Sequence, residues 1–162
     1  MTVEACAAQI RERLGDAWLS RIYSERILKL RTRSYHFELV GVPKRIVIQH
    51  TLLGVELKVG RKRLLCPDLA TARYLSVFAR LGCPDVAVPY DITRISQLAD
   101  ELESSWYRML LLVDQEARAK SANFRSRVRG SLVAQLRAEI NEAGAGPKVP
   151  EFKQIKNTRE RT

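Results

Sequence analysis

The residues with the most chemical content in this chain are Glu56 and Lys58, on either side of Leu57. The stretch Val55-Glu56-Leu57-Lys58-Val59 alternates apolar and charged positions, the period of a strand with one buried face. On such a strand the carboxylate and the amine point the same way, about 6.6–6.8 Å apart along the chain. A carboxylate so placed can hold a divalent metal while the ammonium stabilises charge developing on a phosphoryl group. Glu56 and Lys58 are therefore the candidate catalytic pair for metal-dependent phosphodiester cleavage, with Glu56 the candidate ligand for an ion such as magnesium. The same pair is also what an ordinary solvated sheet face presents.

Cations gather nearby. Arg61-Lys62-Arg63 follow Gly60 at the turn after this strand, and Lys44 and Arg45 begin the strand before it. Five cations close together at a sheet edge suit phosphate neutralisation, and they would equally protect an exposed edge from aggregation. Further on, Arg118, Arg125 and Arg129 recur at spacings of seven and four, which stacks them on one helical face, flanked by Lys120 and Arg127. Phe124, Val128 and Leu132 would then take the opposite side to the core. Acidic partners one turn away are almost absent between residues 117 and 138, which favours phosphate binding over a self-neutralised helix face.

Other chemistry finds little footing. Cys6, Cys66 and Cys83 are odd in number and scattered, and with His36 and His50 they make a poor zinc set, so they read as small buried hydrophobes. No phosphate-binding glycine loop, zinc-protease helix or nucleophile elbow occurs. Tyr90-Asp91 follows a strand, where α/β folds place functional groups, although an aspartate there also caps the next helix. Trp18 and Trp106 lie on apolar faces and read as core.

The elements that would position these residues follow from periodicity. Thr2 caps a first helix along which Ile10, Leu14, Trp18 and Ile22 recur every four residues. Gly15-Asp16 weakens it. The spacing then shifts to strand period over Tyr35–Val40, Arg45–His50, Val55–Val59 and Leu64–Cys66, predicting a three- or four-stranded antiparallel meander. Asp68 starts and Gly82 ends a broadly apolar helix. Pro84–Tyr90 is a short, nearly continuous apolar strand suited to burial on both faces. One or two long helices close the chain, the first capped by Ser96 or Thr93 and carrying Leu98, Leu102, Trp106 and Met109. A break near Ser121-Ala122-Asn123 and an unbroken helix both fit. The fold class is α/β (α+β): residues 1–143 form one domain, 1–90 holding the sheet and 91–143 the helices, with 144–162 a flexible basic tail.

Glu56-Leu57-Lys58, together with the order helix, three strands, helix, strand over roughly residues 3 to 90, resembles the core of the PD-(D/E)XK nucleases. The resemblance implies a magnesium-dependent nuclease, active or degenerate. In that family an aspartate precedes the Glu-x-Lys strand, and this chain has no Asp between Asp16 and Asp68. Glu38, Glu4 and Glu12 are the nearby acids, and His50 would be an unusual substitute.

Composition sets the partner class. The net charge is +10 over 162 residues, unevenly spread. Residues 31–66 hold eight cations against two carboxylates, and 117–144 hold six against two, while 92–116 are acidic. Segregation of this kind points to a polyanion. No apolar run reaches the roughly 18 residues of a membrane span, and the start of the chain lacks a signal peptide's pattern. The expectation is a basic, cytoplasmic, nucleic-acid-binding protein without a cofactor, DNA or RNA being its partner. The alternatives are the metal-dependent nuclease, and a non-enzymatic subunit or homo-oligomer that associates through the helices of residues 97–140.

Overall fold

A computed structural model describes residues 1–38 and 45–146. Helix α1 (Val3–Leu14) begins where the Thr2 hydroxyl accepts the Ala5 N–H, and it ends at Gly15, whose φ of +52° breaks the helical path. A short 3₁₀ turn (Gly15–Ala17) leads into α2 (Leu19–Ile22), which runs on as a π-helical turn over Tyr23–Ile27. The stripe read as one long helix is thus broken at Gly15-Asp16, yet Ile10, Leu14, Trp18 and Ile22 all remain buried.

Among the described residues five strands form two sheets, not a single meander. β2 (Ile46–Thr51), β3 (Gly54–Val59) and β4 (Lys62–Cys66) pair consecutively and antiparallel. β1 (Thr32–His36) stands apart and pairs antiparallel with β5 (Asp85–Pro89), Thr32 opposite Pro89 and His36 opposite Asp85. The first predicted strand therefore begins three residues earlier than its alternation suggests and has a distant partner.

Helix α3 (Leu69–Leu81) runs through the centre of the molecule. Asp68 accepts the Thr71 N–H at 2.7 Å at its start, and Gly82 ends it with φ +76°. Its apolar residues are buried on nearly every side because the meander, α4 (Ile92–Glu116) and α5 (Ala122–Ala143) all pack against it. Asp91 caps α4 by accepting the Thr93 N–H, so this helix starts one to four residues before the predicted caps. Ser121 caps α5 through the Phe124 N–H at 3.1 Å, which settles the chain's last helical stretch as two helices. The start of α4 adjoins β5, and the end of α5 returns to the same ribbon, where the Tyr23 hydroxyl donates to the Gly144 carbonyl at 2.6 Å and accepts the Ala87 N–H at 2.9 Å. α4 and α5 thus form a helical hairpin with its turn, Ala117–Ser121, at the far end.

Trp18 and Trp106 are in the core, as are all three cysteines, none of them bonded to another. No helix among the described residues is long and apolar enough to cross a membrane.

Candidate nucleic-acid interface

The meander presents its outer face through strand alternation. Leu57 and Val59 of β3 are buried against α3, so Glu56 and Lys58 face outward together, as their spacing requires. Lys58 lies directly opposite Arg63 of β4. Two like charges at that distance repel, and the diagonal carboxylate of Glu56, 3.6 Å from the Arg63 guanidinium, offsets them. Gln49 of β2 also donates to Glu56 at 2.9 Å.

The fit of Glu56 to a metal can be judged from this donor set. One carboxylate at 12% side-chain exposure, one carboxamide already donating to it and an adjacent guanidinium are a poor site for magnesium, which wants several oxygen ligands in octahedral array. Among the described residues no three His, Cys, Asp or Glu side chains group as a metal site would need. Glu38, the acid that precedes Glu56 in the sequence, pairs with Lys62 at 3.2 Å.

The hairpin turn at one end of the meander collects cations. Gly60 and Arg61 connect the paired residues Val59 and Lys62, and Gly60 takes φ +60°, a conformation a two-residue turn needs and glycine adopts without strain. The Gly60 N–H donates to the Arg45 carbonyl at 2.9 Å, which docks Arg45 beside the turn. Arg45, Arg61, Lys62 and Arg63 are all exposed, so the predicted cluster forms at this end. Lys62 and Arg63 have carboxylate partners, and Arg45, Lys58 and Arg61 have none among the described residues. Lys44 lies outside the described residues.

The second cluster surrounds the turn of the helical hairpin. Arg118 falls in the Ala117–Ser121 connection and not on a helix, so it does not share a helical face with Arg125 and Arg129. The reason is local: the Ser121 side chain opens a new helix after Arg118. Arg125 is tied to the turn by donating to the Lys120 carbonyl at 2.6 Å, and the Lys120 ammonium sits 5.6 Å from the Phe124 ring centre. Arg127 and Arg129 extend into solvent, while Val128, Leu132, Val133, Leu136 and Ile140 take the other side of α5 into the core. None of Arg118, Lys120, Arg125, Arg127 or Arg129 has an ion pair among the described residues. Elsewhere arginines do structural work: Arg11 binds Glu139, Arg13 binds Glu116, and Arg73 holds Asp100 and Glu103.

A third group was not visible in the sequence patterns. Across the β1–β5 ribbon the guanidinium carbons of Arg31 and Arg33 lie 5.0 and 5.8 Å from the centre of the Tyr90 ring, and Arg94 stands nearby on α4. The strand pairing that joins Arg31 to Tyr90 spans almost sixty residues, beyond the reach of periodicity. The one available signal was Tyr90-Asp91 at a strand end, where Asp91 does serve as the cap.

The meander and α5 both pack against α3. On α4, within the stretch expected to associate with partners, Tyr107 and Leu111 are exposed one turn apart. Comparison of the chain with protein families, with curated proteins and with solved structures finds no match.

Proposed function

We propose that the protein binds nucleic acid by neutralising backbone phosphates, with the hairpin turn of α4 and α5 as the principal contact. The observation carrying this is the run of residues 117–138, with six cations and no carboxylate. Evolved surfaces normally intersperse charge, because unpaired like charges on successive turns destabilise a helix. A phosphate chain removes that cost by supplying the missing anions and releasing its own condensed counterions. The meander turn with Arg45, Arg61, Lys62 and Arg63 offers a secondary contact. Hydrolysis at Glu56 and Lys58 draws no comparable support, since Gln49 and Arg63 already engage the carboxylate.

Affinity measured by fluorescence anisotropy against salt tests the reading. Five phosphate contacts give a slope of log affinity on log salt of about −3.5 to −4.5. Changing Arg118, Arg127 and Arg129 together to Ala should flatten that slope by about 2 to 3. An interaction that is absent, or that does not respond to salt, overturns the proposal.

A further inference from the structure

Tyr90 directly follows the apolar strand β5, yet the residue is 39% exposed. Its backbone N–H donates to the Arg31 carbonyl at 3.2 Å, which fixes the residue beside the start of β1. The ring, Arg31, Arg94, Leu30 and Pro89 line a shallow cavity of ≈ 270 Å³, and the Arg33 guanidinium lies over the ring just outside it. The carboxylate in its lining, Asp91, already accepts the Thr93 N–H at 2.9 Å. Among the described residues, arginines therefore outnumber acids around this exposed ring.

We propose that this cavity receives an unpaired base and its flanking phosphates from a single-stranded nucleic acid. The inference rests on the nucleic-acid reading above and adds the type of strand. An aromatic ring beside guanidinium planes is a platform on which any base can stack, whatever its sequence. Arg33, over the ring, and Arg94, in the cavity lining, would meet the phosphates. A duplex keeps its bases stacked on one another, so it can approach the arginines but cannot use the ring. The site differs from the helical cluster in this respect, since Lys120 there faces a Phe124 ring that is partly buried against the core.

The test compares a labelled oligo(dT) of about 15 nucleotides with a duplex of the same length, a span that covers one stacking site and its phosphates. The full chain, Tyr90→Ala, Tyr90→Trp and the double variant Arg33→Ala/Arg94→Ala are each titrated at fixed salt. Tyr90→Ala should weaken oligo(dT) binding roughly tenfold and leave duplex binding within about twofold, while Tyr90→Trp restores it. The arginine variant should weaken both probes. Equal oligo(dT) affinity for the parent chain and Tyr90→Ala, with the parent binding both probes, overturns this inference alone. So does an equal loss on both probes. Failure of the parent chain to bind either probe overturns the broader reading along with it.

Discussion

The indole N–H of Trp18 donates to the Glu139 carboxylate at 3.0 Å, joining the first helical segment to the last across more than a hundred residues. The same oxygen accepts from the Ser20 hydroxyl at 2.6 Å, and Arg11 closes the group with 2.6 and 3.2 Å contacts to the two carboxylate oxygens. Glu139 is the acid that ends the carboxylate-free run of α5, and it is engaged entirely in structure.

Replacing Glu139 by Ala leaves a partly buried indole N–H and hydroxyl without their acceptor. The expected cost is about 2 kcal/mol, or a fall of roughly 4–8 °C in Tm for a domain of this size, read by thermal unfolding. Burial alone would raise the Glu139 carboxyl, but the hydrogen bonds from Ser20, Trp18 and Arg11 together outweigh it and hold it below the usual carboxylate range. A depressed folded-state value gives stability that is present above the unfolded value near 4.3 and is lost as pH falls through the folded one. Glu139→Gln should remove that part of the acid sensitivity; an unchanged pH profile below about pH 4.5 would count against this account.

The Tyr23 hydroxyl, whose pKa burial pushes up to about 12, bridges Ala87 and Gly144. Gly146 follows at φ +74°, and a Cβ there would stand 2.8 Å from the Thr32 hydroxyl oxygen. A chain ending after Asn141, which removes the Gly144 carbonyl that accepts from Tyr23, should lose several degrees of Tm. Gly146→Ala should cost about 1 kcal/mol or more from the positive φ and the crowding combined.

Glu56 is the diagonal acid that offsets the facing cations Lys58 and Arg63. Glu56→Ala should destabilise by about 1 kcal/mol by leaving two cations facing each other, and high salt should shrink the difference. Added magnesium should leave the parent Tm unchanged, because a metal held by the folded state alone would raise it.

Burial pushes the Cys83 thiol up to about 12, and all three cysteines are buried and unpaired. A thiol-specific reagent near neutral pH should react with none of them at an appreciable rate in the native protein, and with three per chain once denaturant is added.

Local signals carried the reading of the sequence a long way. Thr2, Asp68 and Gly82 punctuate helices where their side-chain oxygens or missing Cβ dictate, and the meander follows from alternation and two turns. What escaped was set by distant contacts. The apolar run of Val86–Val88 announces burial but not the identity of its neighbour, so the β1 pairing and the Arg31–Tyr90 contact could not be read from it. The placement of Arg118 turned on whether Ser121 would cap a new helix, a choice that a seven-residue spacing cannot make. Clusters within a hairpin, such as Arg45 with Arg61 to Arg63, were legible because the chain between them is short.

The hairpin of α4 and α5 gives the molecule a ruler. From Arg94 near the ribbon to Arg118 at the far turn the rise along the helix is about 36 Å. At the duplex spacing of a phosphate every 3.4 Å or so along each strand, about eleven base pairs span it. Duplexes shorter than this can occupy one end only, leaving room for a second at the other. Lengthening the probe past that threshold should change the number bound per protein from two to one.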